Sequence, residues 1–242
     1  MTKRLAVLSG GSRGLGLALA EIYRQRGWEL VEFSRSAPHP WSVKADLADP
    51  HAAHAAFTST LAPLAARAWD EILVVANAGV LAPIGPTARK PAPEVIANID
   101  TNFASPILLM AAAVAAFQDH PCRKTVLNIS SGAAQRSLAG WSLYCGAKAG
   151  VEHFVRTLAV EQAGQPHPLR AINVNPGLID TEMQAAIRAS SAEDFPAVGV
   201  FVQRKADGEL RSPQRVAQAV VRMVEDDRLE GGARASTDDY LD

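Results

Sequence analysis

Short apolar runs alternate with longer helical patterns along almost the whole chain, and this rhythm limits the possible folds more than any other feature. Leu5-Ala6-Val7-Leu8 reads as a buried strand and Leu15 to Arg26 as a helix. Leu30 to Phe33 and Trp41 to Ala45 read as further strands, and Pro50 to Ala68 as a helix with Asp49 as its cap. Ile72 to Ala76 is a continuous apolar strand of the kind covered on both faces. Helices then fit Pro93 to Phe117 and Ser142 to Ala163, with strands at Thr125 to Ile129, Ala171 to Val174 and, more briefly, Gly232 to Ala235. Strand alternating with helix predicts an α/β fold: a doubly wound parallel sheet of about seven strands, helices on both faces, right-handed crossovers.

No linker divides the 242 residues, so the sequence predicts a single domain over 1–242. Residues 181–211 break the rhythm, mixing Met183, Phe195, Val200 and Phe201 with many charges, and read as a lid inserted at the carboxyl edge of the sheet. Lys plus Arg number 24 against 25 Asp plus Glu, and the formal net charge of -1 argues against nucleic acid or an anionic membrane as partner. The charge-free stretches Ile72 to Ala88 and Thr101 to Gln118 carry prolines or Asn102, and neither is a clean spanning run of about 20 apolar residues. Two cysteines, Cys122 and Cys145, form no CxxC pair, so a reducing, cytoplasmic setting is expected. His51 and His54 lack a third ligand in any metal pattern, and no metal site is expected.

The first strand runs into Ser9-Gly10-Gly11-Ser12-Arg13-Gly14-Leu15-Gly16 and then a helix. Glycines there let the backbone turn and approach a pyrophosphate, while the helix start supplies free N–H groups and a positive dipole end. The second strand ends in Ser34-Arg35. A cation at that place suits the 2′-phosphate of NADP(H), and Arg13 in the glycine loop could reach the same group. Further on, Tyr144 and Lys148 stand four apart on a predicted helix and share a face. An ammonium beside a phenol is expected to lower the phenol's pKa from about 10 towards neutrality, giving an acid or base for a carbonyl oxygen.

Together these residues resemble the classical short-chain dehydrogenase/reductase family over essentially the whole chain. The glycine motif matches Ser9 to Gly16, the adenine-side aspartate matches Asp46 before Leu47, and the family's NNAG matches Ala76-Asn77-Ala78-Gly79. Asn102, Ser131, and Tyr144 with Lys148 match the catalytic positions, and Pro176-Gly177-Leu178-Ile179-Asp180-Thr181 the nicotinamide side. The resemblance implies an NADP(H)-dependent enzyme acting on CH–OH or carbonyl groups. Tyr144 would protonate the carbonyl oxygen, Ser131 would hydrogen-bond it, Lys148 would bind the nicotinamide ribose and tune Tyr144, and Asn102 would hold a relay water. Gly10, Ser12, Arg13, Gly14, Leu15, Gly16, Ser34, Arg35, Asp46, Leu47, Asn77, Ala78 and Gly79 would line the cofactor, with Pro176, Gly177, Ile179 and Thr181 closing its nicotinamide end.

Within the family, Val126 to Ser131, Gly140 to Cys145 and Pro176 to Gln184 resemble the sepiapterin reductases and bacterial benzil-type dicarbonyl reductases, which makes Trp141 and Met183 substrate-wall candidates and a small ketone, a vicinal dicarbonyl or a sepiapterin-like pterin side-chain ketone the expected substrate. The Gly-Ala-x-x-Asp pattern that anchors a pterin is not kept: Ser236 follows Ala235, with Asp238 and Asp239 later. A general alcohol dehydrogenase, a β-ketoacyl reductase and an NADP-sensing regulator are the alternatives. The resemblance also implies a homodimer or homotetramer. Only Ser36 to Pro40 joins the second and third strands, too few residues for a crossover helix.

Overall fold

A computed structural model describes residues 2–241. Seven strands form one parallel sheet: β1 (Arg4–Ser9), β2 (Glu29–Ser34), β3 (Ser42–Lys44), β4 (Glu71–Ala76), β5 (Arg123–Ile129), β6 (Arg170–Asn175) and β7 (Arg234–Ser236). Their spatial order is β3-β2-β1-β4-β5-β6-β7. The chain therefore winds outward from β1 in one direction and from β4 in the other. Crossovers leave to opposite sides at β1 and β4, which opens a crevice at their carboxyl ends.

Side chains along β1 alternate between two cores, as a strand's period of two requires. Leu5 and Val7 pack with Phe57 and Leu61 of α2 (Pro50–Ala65) and with Met110 and Phe117 further on. Ala6 and Leu8 pack with Leu19 of α1 (Gly14–Gln25) and with Val216 and Val220 of the last helix. Strands buried on both faces need apolar residues at every position, which explains the unbroken Ile72 to Ala76 run.

The long apolar segment forms α3 (Ala92–Ile99), a π turn (Asp100–Ala104) and α4 (Ser105–Phe117), rather than the uniform helix expected from the pattern. By length and composition alone this 26-residue run could cross a membrane, although it carries Glu94 and Asp100 and so is no clean apolar run. Here Leu109, Met110, Ala113 and Phe117 lie in the core beneath the sheet.

α5 (Ser142–Gln162) crosses the same face. Residues 181–211 contain α6 (Glu182–Arg188) and α7 (Val198–Ala206), and the segment is pinned at its base. Asp180 N–H donates to Arg211 O at 2.8 Å and Arg211 N–H to Leu178 O at 2.9 Å, so its two ends are tied together. Its far end is held by Arg89, which pairs with Glu193 at 2.6 Å and Asp194 at 2.8 Å.

Of α8 (Pro213–Glu225) only the end, at Glu225-Asp226-Asp227, is read from the sequence, although Ser212 accepts from Arg215 N–H and precedes a proline at the first helical position. The expected absence of a helix between β2 and β3 holds. Ala37 turns the connection with a φ of 40°, and a His39–Trp41 stack at 4.5 Å under the Arg24 guanidinium packs it against α1.

Candidate active site

The strands place four candidate segments side by side at their carboxyl ends: the glycine loop after β1, Asn77 to Gly79 after β4, Ser130-Ser131 after β5, and Pro176 to Thr181 after β6. Gly10 and Gly14 adopt φ values of 72° and 56°, the left-handed region that a side chain disfavours. At Gly16 a Cβ would sit 2.1 Å from Gly10 O, so α1 packs directly on the loop that precedes it. Asn77 Nδ2 donates to Gly10 O at 2.9 Å and fixes that loop to the end of β4, and Ala78 closes against Gly10.

Tyr144 and Lys148 sit one turn apart on the buried face of α5, with Lys148 Nζ 5.7 Å from the phenol ring centroid. Nζ donates to Ile129 O at 2.7 Å. Ser131 begins a short helical turn and accepts from Ala133 N–H at 3.1 Å, and its side chain is close enough to the Tyr144 phenol to favour the phenolate. Across the crevice the π turn rotates Asn102 inward. Its amide accepts from Val80 N–H at 2.9 Å and donates to Val80 O and to Asn98 Oδ1, which ties Asn102 to the loop after Gly79.

The electrostatics depart from expectation. Burial pushes the Tyr144 phenol up to about 12, a shift that the Ser131 side chain opposes, instead of the ammonium drawing it down. Burial also lowers Lys148 to about 8, with Glu152 acting in the opposite direction. The buried phenol is held as a proton donor.

A cavity of about 590 Å³ opens over Tyr144 and Ser131. Residues 181–211 roof it with Met183, Gln184, Ile187 and Phe201. Trp141, Leu138 and Leu81 form its apolar wall; Trp141 stacks on Phe195 at 4.6 Å and meets Tyr144 edge-on at 5.9 Å. Trp141 thus both packs and lines the cavity. Pro176, Gly177, Ile179 and Thr181 also line it. The aspartates part company here: Asp238 faces this cavity, ion-paired to Arg211 at 2.5 Å, whereas Asp239 lines a separate surface recess.

At the β2 end, Ser34 is buried and bonded to Glu32, while Arg35 is exposed and unpaired among the described residues. Arg13 pairs with Glu182 at the start of α6, so it bridges the crevice rather than standing free. Asp46 accepts from Ala48 N–H beyond β3, and Leu47 O accepts from Ser105 Oγ. Ser12 lies in the turn before α1, and Leu15 in its first turn.

The sequence reading missed Glu32. Its buried carboxylate accepts from Gly11 N–H at 3.1 Å, Ser34 at 2.9 Å and Ser42 at 2.5 Å, stitching the glycine loop to β2 and β3. The available signal was a carboxylate inside the apolar strand Leu30 to Phe33, which must find donors if buried.

Residues 4–192 match the short chain dehydrogenase family model. The chain belongs to that family of oxidoreductases. This short-chain dehydrogenase is 34% identical over 226 residues to a benzil reductase ((S)-benzoin forming) of Bacillus subtilis, covering 91% of this chain and 93% of the relative. It is 29% identical to a sepiapterin reductase of Xenopus tropicalis, covering 94% of each. Its fold matches a short-chain dehydrogenase/reductase crystal structure from Saccharomyces cerevisiae with a TM-score of 0.83 at 22% identity, covering 99% of this chain and all of that one.

Proposed function

We propose that this short-chain dehydrogenase is an NADPH-dependent carbonyl reductase acting on a small ketone or vicinal dicarbonyl with an apolar, aryl-sized substituent. The observation that carries the reading is the buried Tyr144 phenol, kept protonated beside Ser131 and Lys148 under an apolar-walled cavity.

The glycine loop fits a dinucleotide, because Gly10 and Gly14 hold φ values and Gly16 an approach that leave the α1 N-terminus open to a pyrophosphate. Gly10, Ser12, Gly14, Leu15 and Gly16 would bind that part, Asp46 and Leu47 the adenine, and Asn77, Ala78 and Gly79 the central ribose side. Arg35 would take a 2′-phosphate, since Glu32 is engaged by Gly11, Ser34 and Ser42 and, among the described residues, no other carboxylate lies at the end of β2 to select an unphosphorylated ribose. Thr181, Ile179, Pro176 and Gly177 would border the nicotinamide. Lys148 would reach its ribose.

When bound, the dinucleotide supplies the hydride. Ser131 Oγ orients the carbonyl oxygen, and Tyr144 Oη delivers a proton to it as negative charge develops there. Lys148 steadies the charge left on Tyr144. Asn102 holds the loop after β4, and its remaining acceptor lone pair is available to a relay water. The walls of Trp141, Leu138 and Phe201 exclude water from the reacting carbonyl.

A dicarbonyl is favoured over a pterin because the two carboxylates lining the cavity, Asp238 and Glu209, are each paired with an arginine, Arg211 and Arg204. The benzil reductase relative supports the same choice. A non-catalytic sensor would have no use for the buried Tyr144, Lys148 and Ser131 cluster. Ile96, Ile99 and Phe103 along α3 and the π turn, and Val160 on α5, are exposed apolar residues that support a homo-oligomer.

The test is the initial rate of NADPH oxidation with benzil and with sepiapterin, in wild type and Tyr144→Phe. Turnover of benzil should exceed that of sepiapterin. Tyr144→Phe should lose about 10²–10⁴-fold in kcat while still binding NADPH. Comparable turnover by Tyr144→Phe would sink the assignment.

A further inference from the structure

Glu152 is a carboxylate in the core, 1% exposed, one helical turn beyond Lys148 on α5. A buried charge needs partners, and one cation would neutralise it. Glu152 has more than that. Its Oε1 accepts from Arg234 Nε at 2.9 Å and from Ser130 Oγ at 2.6 Å, and its Oε2 accepts from Gln135 Nε2 at 3.0 Å. Arg234, from β7, donates in addition to Ser131 O at 3.3 Å. The carboxylate thus holds the residue before Ser131, a residue shortly after it, and, through Arg234, the Ser131 backbone itself.

We propose that Glu152 is a positioning residue for carbonyl reduction: it fixes the Ser131 hydroxyl through Ser130, Gln135 and Arg234, and it supplies the negative charge that keeps Lys148 an ammonium ion. This rests on the reading of Tyr144, Ser131 and Lys148 given above. The groups facing Lys148 are the Tyr144 phenol and Glu152 on its own helix, the Ile129 carbonyl on β5, and the Asn102 amide across Gly79. Glu152 is the charge that opposes the effect of burial on Lys148. Arg234 faces Glu152 from β7 and offsets part of its field.

Glu152→Gln keeps the shape and two of the acceptor contacts but removes the charge. The pH profile of kcat for reduction should show its alkaline limb displaced to lower pH by about one unit. A looser Ser131 should lower kcat roughly ten- to hundredfold with NADPH affinity within a few-fold of wild type. Arg234→Gln, on a short edge strand where the side chain is partly exposed, removes the opposing cation and should move the limb to higher pH.

An alkaline limb at the wild-type pH in both variants would overturn the proposal, even with reduced kcat, because a purely structural contact lowers the rate without moving the titration. If Glu152→Gln does not fold, Arg234→Gln decides alone, and no upward displacement overturns it. Tyr144→Phe separates the two readings: if that variant turns over, the catalytic assignment fails, whereas an unmoved limb beside an inactive Tyr144→Phe removes only the role of Glu152.

Discussion

Tyr144 retains its proton because α5 places it in the core, where the phenolate loses solvation, and one hydroxyl partner does not compensate. Lys148, one turn away, is under the opposite pressure and holds its charge less firmly than an exposed lysine. The signs set a pH dependence. Reduction needs Tyr144 as phenol and Lys148 as ammonium; the first persists to about 12, and the second is lost as pH rises through about 8. Initial rates of carbonyl reduction should therefore be flat below neutrality's upper edge and fall across that alkaline range, and a rate that climbs there would contradict it. Arg35 carries the second residue-scale prediction. Its loss in Arg35→Ala should raise the KM for NADPH about ten- to hundredfold, the worth of one charge-assisted contact, and leave the KM for NADH nearly unchanged.

Tyr144 and Lys148 could be singled out from their spacing of four on one helix, whereas Ser131 and Asn102 came from the family resemblance. Glu32 and Glu152 could be read from neither, because their partners come from other parts of the chain: Gly11 and Ser42 for one, Ser130 and Arg234 for the other. The phenol's pKa was misjudged for a related reason. Spacing gives the neighbour at i+4, whereas the depth of burial that outweighs it depends on the roof formed by residues 181–211.

At the scale of elements, the contact between the glycine loop and α1 decides whether a dinucleotide can seat. Gly16→Ala would drive a methyl into Gly10 O and Asn77 Nδ2. Thermal or denaturant unfolding should show a loss of about 1–3 kcal/mol, and fluorescence titration should show NADPH binding greatly weakened. Normal affinity would mean that the loop yields. The strands β1, β2, β4, β5 and β6 could be read from their apolar runs, which a doubly covered sheet demands. The π turn could not, since one extra residue per turn changes no composition; it shows only in the Asn102 contacts with Val80 and Asn98. The start of α8 escaped because the pattern before it, Gly208 to Pro213, belongs to the tied base of the roof segment, although Val216, Val220, Met223 and Val224 give it an apolar stripe at helical spacing.

For the whole molecule, a parallel sheet with its switch point between β1 and β4 gathers loops from distant parts of the chain at one edge. The glycine loop, the ends of β4, β5 and β6, and the α6–α7 roof meet there, so a cofactor and a carbonyl would lie between the sheet and a segment whose ends are tied together at Leu178 to Arg211. The opposite consequence is an outer surface on α3 and α5 where Ile96, Ile99, Phe103 and Val160 remain uncovered. Light scattering should find a homodimer or homotetramer, and Ile99→Asp combined with Val160→Asp should shift it to a smaller species; a wild-type monomer would contradict this.

The most direct test of the account follows the hydrogen itself. NADPH carrying deuterium at both C4 positions, incubated with the enzyme and benzil, should yield benzoin with deuterium at the carbinol carbon, and Tyr144→Phe should yield almost none. Benzoin without deuterium, or label transferred equally well by Tyr144→Phe, would contradict hydride transfer with Tyr144 as the acid.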